Sequence, residues 1–429
     1  MIGISPHKLT SPVIQDLQSN GKKISMIDAH WKWFERRIKN KDPYDLKGIK
    51  YSVSDILYKY LSYKKKEIRA FVTAMPDDVE KMADPNGKYY ITFVNNEKKL
   101  RSEVEKVYKK IKKTNIKKQQ NTLKKIVIKL SQEDNKKIDE EAKKMIHYAF
   151  GYDDFQNEVK NEWNAYKFFE KLKVEVCPYC NCQYTFTIGD SKHKYGKPEL
   201  DHFYPKAHYP YLSCTLFNFI PSCHQCNNQK RDWYNSHLVS GNFKKTHRNV
   251  IFSTGAKARA LISYPYKECF DDDNGFDEKK AYFQICMDNG GKIPYKYGNI
   301  QIKIINNVKN NSIDSMKVNN TMEAFHLAEL YKCHQIALKD LLKRYRNYAL
   351  PKTRDIIKIF RKMGLQIFYN RSQFTFSKNF FVAYSKTFRN QILGLPLGAG
   401  NAEYPLRKFK QDIIKQLDNY YRNRVKIHK

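Results

Sequence analysis

The chain has 429 residues, 41% of them hydrophobic, which is enough for two or three domains with sizeable cores and too apolar for a disordered tail. Its 79 lysines and arginines against 44 acidic residues leave a formal net charge of +35; such a surface attracts polyanions, nucleic acid first, and repels its own kind. No run approaches the ~18 apolar residues of a membrane helix, and Met1-Ile2-Gly3-Ile4-Ser5-Pro6 lacks a basic segment leading into an apolar one, so a cytoplasmic protein with no membrane partner is expected.

Residues 1–165 read as a helical, basic N-terminal domain. Trp31, Phe34 and Ile38 recur on one helical face beside Glu35, Arg36 and Arg37. Between Lys98 and Lys129 there are 13 basic and two acidic residues, while Val104, Val107, Tyr108 and Ile111 keep i, i+3, i+4, i+7 spacing. That pattern predicts an amphipathic helix with one buried stripe. Its basic face suits a phosphate backbone; a solvated lysine face is the plainer alternative.

Residues 166–240 hold the chemistry-bearing residues. Cys177-Pro178-Tyr179-Cys180 and Cys223-His224-Gln225-Cys226 are two C-x-x-C pairs with 42 residues between them. Six of the nine cysteines fall between positions 177 and 226, and without an export signal this crowding favours a metal over disulfides. The spacing predicts a four-cysteine zinc site. Cys182 makes the first pair C-x-x-C-x-C and is a competing ligand; Cys214, Cys269, Cys286 and Cys333 read as buried hydrophobes.

Between the pairs, Lys197-Pro198 predicts a turn and Glu199–His202 a short strand that ends at Tyr204-Pro205. Ser213–Ile220 reads as the return strand, and a helix is expected over Asn227–Leu238. Strand, strand, helix would bring Asp201, His202, Asn218 and Asn227 together.

The third part, 241–429, reads as short strands and then helices. Ala281–Ile285 and Ile300–Ile304 alternate like strands, with Asn289-Gly290-Gly291 as a turn. Phe325, Leu327, Leu330, Tyr331 and His334 predict one long helix running toward Arg346, and a last helix is expected near Phe409–Tyr421. The expected class is α+β: a mostly helical chain with an embedded two-strand-and-helix module stapled by four cysteines.

Asp201-His202, then Asn218, then Cys223-x-x-Cys226-Asn227-x-x-Lys230 resembles the HNH endonuclease family over roughly 55 residues. The resemblance implies a ββα-metal nuclease module with a structural zinc on Cys177, Cys180, Cys223 and Cys226. It implies His202 as general base, Asp201 and Asn227 as ligands of a catalytic Mg²⁺ or Mn²⁺, and Asn218 as the residue that clamps the loop and orients the base. Lys230, together with Lys206, is an expected phosphate contact. A looser resemblance joins Pro265-Tyr266, Asp271–Asp273, the Phe325–His334 segment and Pro405–Ile413 to bacterial antiviral defence HNH proteins of Septu-type and retron-associated systems, which implies an ATPase or other defence-system partner. The chain itself has no Gly-x4-Gly-Lys-Ser/Thr loop.

The leading expectation is therefore a metal-dependent DNA endonuclease of low sequence preference. An RNA-cleaving toxin with the same site, and a zinc-dependent nucleic-acid-binding protein without catalysis, are the alternatives.

Overall fold

Ser25 starts the first long helix, α1 (Met26–Asn40), where its hydroxyl accepts the Asp28 amide and so satisfies one of the orphan N–H groups of the first turn. The computed structural model describes residues 3–15, 23–119, 130–157, 163–189, 193–230, 262–268, 270, 281–285, 300–308, 313–347, 393–395 and 404–427. Trp31, Phe34 and Ile38 are buried along α1 as their spacing predicts, but His30, Trp33 and Arg37 are buried too. Arg37 tolerates this because its guanidinium pairs with Asp154 at 2.6 Å and donates to the carbonyls of Tyr148 and Ala149.

The described residues are mostly helical, with small two-stranded antiparallel sheets, and divide into two compact units. The first comprises Ile4–Val174 and Thr185–Glu268; the second comprises Met1–Gly3, Glu175–Tyr184 and Cys269–Lys429. This division differs from the linear one expected from sequence. The N-terminal helices and the 199–222 segment share one core, in which the Phe155 ring stacks on Phe219 at 5.6 Å and Phe168 meets Phe219 edge-on at 6.1 Å. Aromatic packing of this kind joins segments far apart in sequence.

In the first unit a hairpin of β1 (Tyr44–Leu46) and β2 (Ile49–Tyr51) follows α1. Its two turn residues, Lys47 and Gly48, both have positive φ (54° and 86°), the geometry that matches strand twist. Next come a π-helical turn, Asp55–Tyr60, and helices α2 (Lys65–Val72), α3 (Pro76–Met82), α4 (Lys88–Gln119) and α5 (Gln132–Phe150). Leu100, Val104 and Val107 of α4 are buried, and α4 packs on α5. Two short helices, α6 (Tyr152–Asn157) and α7 (Ala165–Leu172), lead to the module of interest.

That module is a hairpin of β3 (Glu199–His202) and β4 (Phe219–Ser222) followed by α8 (His224–Lys230). Asp201 pairs with Ile220 and His202 with Phe219. The return strand thus starts at Phe219, not at Ser213. Residues before it form two 3₁₀ turns, Pro210–Leu212 and Leu216–Asn218, around the buried Asn218 side chain. The helix begins three residues earlier than expected, because the Asn227 amide already donates to the Cys223 carbonyl; its expected continuation to Leu238 lies outside the described residues.

The second unit pairs β5 (Ala281–Ile285) with β6 (Ile302–Asn306), two residues past the expected second strand. The Asn289-Gly290-Gly291 turn, Cys269, Cys286 and Asp271–Asp273 lie outside the described residues. The expected long helix is instead three: α9 (Ile313–Ala324), α10 (Leu327–Lys332) and α11 (Gln335–Asn347). His326 breaks it at φ 46°, which lets Phe325 stack on Tyr179 at 4.3 Å while the Tyr331 hydroxyl donates to the Cys180 carbonyl. Cys333, expected in the core, sits exposed at the second break. α12 (Arg407–Ile427) closes a core of Phe283, Ile302, Tyr331, Leu341 and Phe409.

Candidate active site and metal centre

The Sγ atoms of Cys177, Cys180, Cys223 and Cys226 all lie within 4.8 Å of one another, and all four side chains are buried. Tetrahedral thiolate coordination of zinc, with Zn–S near 2.3 Å, needs sulfurs roughly 3.8 Å apart, so this cluster can hold a metal such as zinc. Backbone geometry suits charged sulfur. The Cys182 amide points at Cys180 Sγ (3.4 Å) and the Cys226 amide at Cys223 Sγ (3.5 Å). Asn181 turns the first loop at φ 52°, its amide donating to the Cys177 carbonyl. Cys182 lies outside the cluster: its thiol donates to the Cys180 carbonyl, and burial pushes its ionisation far up.

The β3–β4 hairpin and its loop position the remaining residues. Asn218 is fully buried and holds the loop at three points: its Oδ1 accepts the Tyr204 amide (2.7 Å), and its Nδ2 donates to the carbonyls of Tyr204 and Leu212 (both 3.0 Å). These are three of the four bonds an amide side chain can make. The loop so fixed presents the Ser213 carbonyl to His202, whose Nε2 lies 3.0 Å away. A carbonyl only accepts, so Nε2 carries the proton and Nδ1 carries the lone pair. Among the described residues Nδ1 has no hydrogen-bond partner. The ring is buried edge-on between Tyr152 (4.4 Å) and Phe219 (5.4 Å). Burial depresses its pKa to about 3, partly opposed by the Ser213 bond, so the imidazole is neutral near pH 7.

Asp201 is 4% exposed and faces Lys230, which is fully buried. The Lys230 ammonium stands 3.1 Å from Oδ1 and 3.0 Å from Oδ2 of Asp201, and donates to the His202 carbonyl at 2.6 Å. The lysine expected at a phosphate is thus enclosed, tying α8 to β3. Asn227 lies three positions before Lys230 on α8 and is half-exposed. Lys206 is also half-exposed; its ammonium sits 4.3 Å over the Tyr152 ring and 4.0 Å from Asp153. Across the hairpin end, exposed His224 bridges Glu199 (3.2 Å) and Asn228 (2.6 Å).

Two participants escaped the sequence reading. Tyr152, on α6, walls His202 and carries Lys206; no motif marks it. Ser213 acts through its backbone carbonyl, which no side-chain pattern can reveal.

No family model matches the chain, and no solved structure matches it. A 53-residue segment, 12% of this chain, is 42% identical to Protein ea31 of Escherichia phage lambda. The chain covers 14% of that protein's length. Among the described residues, no helix is long and apolar enough to cross a membrane.

Proposed function

We propose that this protein is an HNH-type endonuclease that hydrolyses phosphodiester bonds of DNA with little sequence preference, in defence against foreign DNA. The observation that carries the reading is His202: a neutral imidazole whose Nε2–H is anchored and whose Nδ1 lone pair is unused, beside Asp201 and on a hairpin-and-helix frame. That is the arrangement of a general base. His202 Nδ1 takes a proton from water as the water oxygen attacks phosphorus, and the P–O bond opposite breaks. A pKa near 3 makes a weak base in the free protein; an anionic phosphodiester against the ring raises its proton affinity. Lys206, whose ammonium lies over the Tyr152 ring that walls His202, would neutralise a phosphate oxygen.

Asp201 and Asn227 offer hard oxygen donors of the kind Mg²⁺ or Mn²⁺ accepts while keeping several waters. A divalent ion held there would stabilise developing negative charge; it would share Asp201 with the Lys230 ammonium. Four thiolates would leave zinc no open position, which makes the zinc site structural.

The test is cleavage of plasmid, linear duplex and structured RNA with Mg²⁺ or Mn²⁺ and with EDTA, by wild type and His202→Ala. Metal-dependent cutting of DNA, lost in a variant that still binds, is the expected result. Cutting of RNA alone would replace the substrate. Binding without cutting by either protein would favour a non-catalytic zinc module, or an enzyme silent without its partner ATPase, and adding that partner separates the two. Metal analysis should return one zinc per chain, lost in Cys223→Ser.

A further inference from the structure

Apart from the hairpin module, the first unit carries a cleft of about 350 Å³ between the β1–β2 hairpin, the π-helical turn and α4. Its floor is apolar and aromatic: Tyr51 and Val107 are buried, and Tyr60 is half-buried against Tyr51, ring centroids 5.5 Å apart and edge-on. Its rim carries four exposed lysines, Lys50, Lys59, Lys106 and Lys110. Each comes from a local rule. The tight Lys47-Gly48 turn delivers Lys50. Glu103, Lys106, Val107 and Lys110 keep i, i+3, i+4, i+7 spacing, so α4 turns one face to the cleft.

The two carboxylates in the cleft are already engaged. Asp55 accepts both the Ser52 amide (3.2 Å) and the Ser52 hydroxyl (2.5 Å), and Glu103 pairs with Lys106 at 3.4 Å. Among the described residues Lys50, Lys59 and Lys110 make no ion pair; the Lys59 ammonium lies 5.2 Å over the Tyr60 ring. The backbone here is unusual. The π-helical turn Asp55–Tyr60 ends with the Leu61 amide on the Ile56 carbonyl and Ser62 at φ 56°, and such turns recur at functional sites.

We propose that this cleft is a second, non-catalytic nucleic-acid site that takes a single strand: Lys50, Lys59 and Lys110 contact successive phosphates and Tyr60 stacks on a base. A cleft of this volume suits a nucleotide unit; it is too small for a duplex. Lysines flanking an aromatic ring are the elements of strand binding without base readout. The proposal rests on nucleic acid being the ligand of the protein, but not on catalysis, and its test is run without hydrolysis.

Full-length protein in EDTA is titrated with a fluorescein-labelled 15-mer of thymidylate, and with a duplex of the same length, from 50 to 200 mM KCl. The measurements are repeated with Lys50→Gln/Lys59→Gln/Lys110→Gln and with Tyr60→Ala, after thermal melts establish that both are folded. In the triple variant the slope of log K against log salt for the single strand should fall by about 2, since each phosphate contact contributes about 0.7. Tyr60→Ala should weaken single-strand binding by at least about fivefold with the slope unchanged, because stacking is insensitive to salt. Wild-type affinity and slope in both variants would overturn the site. So would a loss confined to the duplex, which would make the cleft a duplex contact. The cleft variants leave Asp201 and His202 intact, so a failed nuclease reading (no cutting by wild type) and a failed cleft reading (single-strand binding unchanged in the variants) give different results.

Discussion

His30 and His202 are two buried imidazoles in the first unit, and each places Nε2 on the carbonyl of adjacent residues, Cys214 (2.8 Å) and Ser213 (3.0 Å). They differ at the other nitrogen. His30 Nδ1 accepts the Trp163 indole N–H at 3.0 Å, so its hydrogen bonding is complete. His202 Nδ1 has no partner among the described residues. Burial lowers both, His30 to about 4 and His202 to about 3. The same side chain, the same burial and the same anchor thus give a structural residue in one place and a candidate base in the other. What separates them is one unused lone pair.

The largest effect expected from this comparison is on cleavage. His202→Ala should lower the rate by about 10²- to 10⁴-fold, the usual contribution of a positioned base, with DNA binding retained in a gel-shift assay. His30→Phe should leave the rate near wild type at temperatures where it stays folded; an equal loss in both variants would erase the distinction.

Next is the frame that holds His202 in place. Lys230→Met leaves the Asp201 charge buried without the ammonium that faces it, and urea unfolding should show a loss of roughly 3–5 kcal/mol. Asp201→Asn in the same chain should recover part of it, since the two changes act on one pair.

The acid response of His30 comes third. Protonating it would set an Nδ1–H against the Trp163 N–H, two donors face to face. Its folded pKa, about 4, lies below its ordinary 6.5, so the unfolded chain binds a proton first as pH falls. The stabilisation is therefore complete above pH 6.5 and is lost as pH drops toward 4. Between pH 7.5 and 4.5 this group alone should cost about 2–3 kcal/mol of unfolding free energy. The drop should shrink in His30→Phe; an unchanged pH profile would mean the imidazole is not held neutral.

The smallest effect belongs to the surface. Arg101 bonds Asp139 at 2.5 Å between α4 and α5 with both groups partly in water, and Arg101→Ala should cost no more than about 1 kcal/mol. A loss comparable to that of Lys230→Met would show that the helix pair depends on its ion pairs more than on its buried stripe of Leu100, Val104 and Val107.

Much of the site could be read along the chain. The short strand at Glu199–His202 emerged where Pro198 and Pro205 bracket it, because proline acts on its immediate neighbours. The four cysteines converge as their spacing required, and Asn218 closes the loop between the two strands. The expected return strand from Ser213 failed because Asn218 bonds the Tyr204 and Leu212 backbone, which sets 3₁₀ turns in place of extended chain. Lys230 reads as a phosphate contact in sequence and is the most enclosed lysine of the module. Nothing local distinguishes a lysine beside a carboxylate from one facing water. The single helix expected from Phe325 toward Arg346 failed similarly: its periodicity is continuous, yet Phe325 and Tyr331 satisfy different neighbours, and His326 takes the left-handed turn between them.

Sequence alone determined which residue types are present, their spacing, and therefore the chemistry on offer: soft sulfur ligands in two pairs, an imidazole next to a carboxylate, and a large positive charge. Those are properties of neighbours within a few positions. Only the tertiary structure decided which imidazole keeps a lone pair, which lysine is enclosed and which lysines rim an aromatic cleft. Burial and hydrogen-bond partners come from segments 11 to 184 residues apart, as in His202–Ser213 and His30–Cys214, and no local pattern encodes them.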